Sequence, residues 1–152
     1  MIQYVEGDLL ESDCDVIVHG CNCFNTMNSG IAKSIRDKFP EAWKVDQKTV
    51  CGDINKLGSF TMAECENNDK KILILNCYIQ YKYGTSHRHA DYDAIRKCTR
   101  KINSMFDKNV KIGFPKIGAG LAGGDWNIIE KIINEEFGDY RIVYVYVLPE
   151  VK

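Results

Sequence analysis

Two kinds of apolar spacing alternate along this chain, and that alternation limits its fold more than any single motif. Residues 70–80, KKILILNCYIQ, are apolar at successive positions, as in a strand covered on both faces, whereas ADYDAIRKCTRKINSMF at 90–106 repeats its apolar residues at helical spacing. The same switch recurs from end to end. Strands are read at MIQYVEG, at CDVIVHGCN, at VKIGFPKI and at YRIVYVYVLPE, and GSFTMAEC pairs with KKILILNCYIQ as a hairpin across the polar ENND. Helices are read at SGIAKSIRDKFP, stopped before Pro40, at EAWKVDQKTV, and at DWNIIEKIINEEF with Asp125 as its N-cap. Strands interleaved with helices predict an α/β chain, a three-layer α/β/α sandwich around a mixed, largely parallel sheet.

A chain of 152 residues is expected to form one domain, residues 1–152, around a full hydrophobic core. Its formal charge is −1, with both signs mixed along the chain and no basic block, so no strong nucleic-acid signal is present. The opening MIQYVEGDLLESD lacks the basic start and apolar core of a signal peptide, and no run approaches the roughly 18–20 apolar residues of a membrane span. A cytoplasmic protein is expected, with no membrane partner. Seven cysteines, an odd number, fit reduced buried thiols better than a disulfide framework. In HGCNC, alternation puts His19, Cys21 and Cys23 on one face, yet no second group completes a tetrahedral zinc shell. Thiols packed under a sheet are the favoured reading, and neither metal nor cofactor is expected.

Ligands of open α/β sheets bind outside the carboxyl ends of the strands. Two such ends carry small residues here. One is NCFNTMNSGIAKSI, where a strand ends and Gly30 leads into a helix; the other is PKIGAGLAGGDW, with four glycines in the seven positions 118–124. Loops of small residues ahead of helix N-termini present backbone N–H groups to an anion, and two of them suggest a diphosphate. Neither matches GxxxxGK[ST], and GAGLAGG is not a GxGxxG placed in a first strand–turn–helix unit.

Taken in order, VEGDLL, VIVHGCN, NSGIA and PKIGAGLAGGDW resemble the successive signatures of a macrodomain, the module that holds ADP-ribose. The resemblance covers essentially the whole chain. It is strongest to the branch with the yeast-type ADP-ribose 1''-phosphate phosphatase and the terminal ADP-ribose protein glycohydrolase, and the HxCNC ahead of GIA is similar to the phosphatase pattern. By this resemblance Asp8 accepts a hydrogen bond from the adenine amino group, with Leu9 beside it. Leu148 and Pro149 line the adenine slot, or simply pack. Residues 27–32, with Met27, Ser29, Gly30, Ile31 and Ala32, hold one phosphate. Gly118, Ala119, Gly120, Leu121 and Ala122 close over the other phosphate and the distal ribose. Asn22 and Asn25 point at that ribose, or serve as turn residues.

Chemistry at such a site needs anion stabilisation, a positioned water or nucleophile, and help for the leaving group. His19 is the candidate for acid–base or nucleophilic work, because imidazole titrates near neutral pH; strand alternation equally allows it to face the core. Asp125 either orients a water or caps the helix. The glycohydrolase branch resembles this chain less, since its lysine and the aspartate after GxGL meet only Lys82, across a gap, and Ala122. His87, Arg88 and His89, with Tyr78, Tyr81 and Tyr83, form a polar and aromatic cluster that covers the distal ribose or is a solvated loop. The resemblance thus implies a monomeric phosphatase acting on ADP-ribose 1''-phosphate. A hydrolase removing ADP-ribose from proteins or nucleic acids, and a non-catalytic binder of ADP-ribose, are the alternatives.

Overall fold

The computed structural model describes residues 1–84 and 88–149. Its strands are β1 (Ile2–Glu6), β2 (Val16–Asn22), β3 (Phe60–Asn67), β4 (Lys70–Gln80), β5 (Ile112–Phe114) and β6 (Val143–Val147), laid in one sheet in the order β1-β6-β5-β2-β4-β3. Every neighbouring pair is parallel except β3 with β4, so the sheet is mixed and largely parallel, as the spacing predicts. The hairpin is tighter than expected. Strand β3 runs on to Asn67, and the turn shrinks to Asn68 and Asp69, with φ of 51° and 63°. Asn and Asp tolerate that left-handed region, which a two-residue hairpin requires.

Four helices cover the sheet: α1 (Gly30–Lys38), α2 (Pro40–Gln47), α3 (Tyr92–Met105) and α4 (Trp126–Phe137). Side chains alternate along β2, so Val16 and Val18 join Ile95, Ile102, Ile129 and Ile133 under α3 and α4, while Ile17 and Cys21 join Ile35, Phe39 and Ala42 under α1 and α2. Burying each such aliphatic side chain is worth about 1.5–3 kcal/mol, which fixes the register of the two central strands. Helix α1 stops at Lys38, ahead of Pro40 as the sequence predicts, and Pro40 then starts α2 at its first helical position, where its missing N–H costs no hydrogen bond. All seven cysteines are free thiols, and Cys51 is the exposed one. No helix among the described residues is long and apolar enough to cross a membrane.

Candidate functional site

A cleft of about 330 Å³ opens at the carboxyl edge of the sheet. Gly20, Cys21 and Asn22 of β2 and Ile79 and Gln80 of β4 contribute to its base, with Asp46 of α2 beneath. One wall is the loop from Thr26 into α1; the other follows β5 and carries Pro115, Lys116, Ile117, Gly118, Gly120, Leu121 and Ala122. The walls meet across the top, where a Cβ on Gly30 would lie 3.9 Å from Leu121 Cδ1.

The first wall ends in a helix start that its own sequence leaves open. Ser29 occupies the N-cap position of α1 with extended backbone, φ −147° and ψ 160°, and makes no side-chain cap hydrogen bond. The first N–H groups of an α-helix have no carbonyl four residues back, so those of Gly30, Ile31 and Ala32 stand at the positive end of the helix dipole, and all three residues line the cleft. The loop that brings them there is braced by side chains. Asn22 Oδ1 accepts from the Phe24 N–H at 2.8 Å, and its Nδ2 donates to Thr26 Oγ1 at 2.7 Å. Arg36 donates to Asn28 Oδ1 at 2.9 Å while stacking over Trp43 at 4.5 Å. Met27 lines the cleft but is buried, its side chain packed into the core under α1 and α2.

In the second wall the glycines serve mostly the loop itself. A Cβ on Gly124 would sit 2.5 Å from the Gly118 carbonyl oxygen, to which the Gly124 N–H donates at 2.8 Å. Gly118 has φ +75°, and its Cβ would press within 3.2 Å of Ile129 and Ile95. Gly120 borders open space, with nothing within 4 Å of its Cβ position. Close packing of the loop on itself and on the core therefore accounts for two of the four glycines, where the sequence suggested room for a ligand. Ala122 pins the loop from its far end, its carbonyl accepting from the N–H groups of His89 and Ala90. Lys116, exposed at the rim, supplies a cation.

The cleft thus gathers Asn22, Met27, Ser29, Gly30, Ile31, Ala32, Gly118, Gly120, Leu121 and Ala122 among the residues singled out from sequence. Others lie elsewhere. His19 is fully buried on the α1/α2 face and does not line the cleft. Asn76 donates its Nδ2 to Ala42 O and Thr61 Oγ1, so its Oδ1 is the acceptor and His19 Nε2 donates to it at 2.6 Å. Burial pulls the imidazole pKa down to about 4, against the upward pull of that hydrogen bond, so His19 is a neutral structural histidine and the acid–base role is withdrawn. Asn25 also turns away. Its Nδ2 donates to Thr49 O at 2.9 Å and its Oδ1 accepts from Lys56 Nζ at 2.7 Å. Asp125 caps α4, accepting from the Asn127 N–H at 2.9 Å, and is outside the lining. Asn22 does line the cleft, but both ends of its amide are committed to the loop.

Asp8 and Leu148 follow β1 and β6, exposed and outside the cleft lining; Asp8 Oδ1 accepts from the Leu10 N–H at 2.9 Å. Leu9 is a core residue, 3% exposed, and Ala119 is not part of the lining. Lys82 is exposed and does not line the cleft, and Arg88 stacks over Tyr92 at 4.4 Å. His87 lies outside the described residues. Among the described residues no group of three or more His, Cys, Asp or Glu side chains is placed to hold a metal. Sequence reading passed over Thr26, Lys116 and Asp46. The first two adjoin the small-residue motifs, which was a usable signal; Asp46, a polar residue on a surface helix, gave none.

An α/β/α sandwich with a cleft between two loops at the carboxyl ends of its strands has the architecture of an α/β ligand-binding module. The Macro domain family model matches residues 18–133, and the chain belongs to that family. A 17.5 kDa protein from the tk-vs intergenic region of Enterobacteria phage T4 is 34% identical over 151 residues, covering 95% of this chain and 96% of its own. The ADP-ribose 1''-phosphate phosphatase of Debaryomyces hansenii is 28% identical over 178 residues, covering 95% and 99%. Among solved structures, the macrodomain of Mycobacterium tuberculosis DarG superposes with a TM-score of 0.80 at 22% identity, covering 99% of each chain, a likeness of fold.

Proposed function

We propose that the protein binds ADP-ribose and hydrolyses ADP-ribose 1''-phosphate to ADP-ribose and inorganic phosphate. The observation that carries this reading is the uncapped start of α1, with Gly30, Ile31 and Ala32 facing a cleft whose opposite wall is a second small-residue loop. Backbone N–H groups on two sides suit a diphosphate, and Lys116 adds a positive charge at the rim. Asp8, at the end of β1, keeps a second carboxylate oxygen for the adenine amino group while the first caps the following turn. The full-length match to a yeast phosphatase supports the choice of substrate. With His19 buried and neutral, activation of water falls to groups in the cleft and to the substrate's own phosphate.

The test is a phosphorus NMR time course on ADP-ribose 1''-phosphate with stoichiometric and then catalytic protein. Free phosphate should grow while the diphosphate signals persist. Diphosphate signals that shift on binding with no phosphate released would leave a binding module instead of an enzyme, and no change at all would remove the ADP-ribose reading.

A further inference from the structure

Beneath the cleft stands a carboxyl group that the reading above leaves without a task. Asp46, near the end of α2, is 1% exposed and is the single carboxylate among the described residues lining the cleft. Its Oδ1 accepts from the Tyr78 hydroxyl at 2.7 Å. Tyr78 is itself buried and shares a 3.1 Å contact with Thr61 Oγ1, which accepts in turn from Asn76 Nδ2 at 3.1 Å. A chain of side-chain hydrogen bonds therefore fixes one carboxylate oxygen from behind. The other oxygen has only a 3.5 Å contact with Gln47 Nε2 among the described residues. A carboxylate offers about four acceptor positions, and a buried one is costly to leave partly filled.

Among the described residues no cation neutralises the group by contact. Lys56 Nζ, whose charge it feels, donates to Asn25 Oδ1 at 2.7 Å and Thr49 Oγ1 at 2.9 Å and lies 5.1 Å from the Tyr78 ring centre. Burial raises the Asp46 pKa, while the Tyr78 hydroxyl and Lys56 pull it back. The cleft walls are rich in backbone donors, which suit phosphate oxygens, whereas a sugar hydroxyl must also give its own proton to an acceptor. Asp46 is a buried acceptor, held by Tyr78, in the lining of the same cleft.

We propose that Asp46 determines sugar specificity, accepting a hydrogen bond from a hydroxyl of the ligand's distal ribose and so separating ADP-ribose from ADP. The inference rests on the ADP-ribose reading. Its test is calorimetric titration of wild type, Asp46→Leu, Asp46→Asn and Tyr78→Phe with ADP-ribose and, separately, with ADP. For Asp46→Leu, ADP-ribose should weaken by about tenfold or more with ADP unchanged, as loss of a charged acceptor implies. The Asn and Tyr78→Phe variants should shift the same ratio by a smaller factor. Should Asp46→Leu fail to fold, those two milder variants decide by that ratio. Equal losses for both ligands, or an unchanged ratio, overturn the assignment while leaving ADP-ribose binding in place. A wild type that binds neither ligand instead overturns the ADP-ribose reading itself.

Discussion

Helices α1 and α4 both start at the carboxyl edge of the sheet, after loops of small residues, on opposite faces, and their first turns are finished differently. Asp125 caps α4 and Asp91 caps α3 in the same manner, each carboxylate accepting a backbone N–H of the first turn. Ser29, a residue well able to cap, leaves α1 open toward the cleft. The layers behind them differ too. Beneath α3 and α4 the core is aliphatic and aromatic with two thiols, whereas the α1/α2 side carries the His19–Asn76–Thr61–Tyr78–Asp46 chain. The contrast teaches that the open helix start lies on the side where a chain of buried polar side chains reaches the cleft, whereas the buried Thr99 of α3 and Arg141 bond to backbone carbonyls away from it.

The most damaging way to test the packed side is Gly124→Val. Its side chain would collide with the Gly118 carbonyl and with Ile129, whose Cδ1 would lie 2.9 Å from the new Cβ, so a loss of about 3 kcal/mol in urea unfolding is expected, with ADP-ribose binding weakened as the loop reopens. A stability within the wild-type error would mean that the loop yields easily.

On the polar face, acid should act through His19. Its pKa is 6.5 as the ordinary value and about 4 in the fold, so between those limits the unfolded chain holds more protons and stability rises with pH. Acidification from pH 7 to pH 4 should therefore remove about 3 kcal/mol through this group, and His19→Gln should flatten the slope. Asp46 opposes it. Its folded pKa lies above 3.8, so in the window just above that value the folded state holds the extra proton and gains stability as pH falls. Denaturant midpoints across the range separate the two, and a slope unchanged by His19→Gln contradicts the buried-histidine account. The proposed phosphatase activity, by contrast, should survive His19→Gln at neutral pH.

The helix starts themselves can be exchanged in character. Ser29→Asp supplies α1 with a cap and a negative charge, so the fold should gain about 0.5 kcal/mol while ADP-ribose affinity drops about tenfold by titration. Asp125→Ala should do the reverse, costing about 1 kcal/mol in thermal or chemical unfolding with affinity unchanged. Matching effects of the two substitutions on binding would erase the distinction between the helices.

Much of this was legible beforehand, for identifiable reasons. Apolar spacing located the six strands and four α-helices of the described residues, because burial on a sheet or helix face leaves that imprint, but not the short 3-10 turns at Leu9–Glu11 and Ile54–Lys56. The two cleft loops were legible from Gly30 and the glycines at 118–124, though Gly118 and Gly124 turned out to serve packing. Orientation was harder. Alternation told that His19 shares a side with Cys21, but not that Asn76, 57 positions away, closes over it. Asn25 looked like a ribose ligand because its partner Lys56 lies 31 positions on, and Asp46 passed unnoticed because a polar residue on a helix ordinarily faces water.

The central claim, that the open start of α1 and the facing loop hold the diphosphate, is tested most directly by amide chemical shifts during titration with ADP-ribose. The account predicts the largest changes at Gly30, Ile31 and Ala32 and at Gly120 and Leu121, with Asn127 and Ile128 at the capped start of α4 nearly still. Changes centred on α4, or none in the α1 turn at saturating ligand, would contradict it.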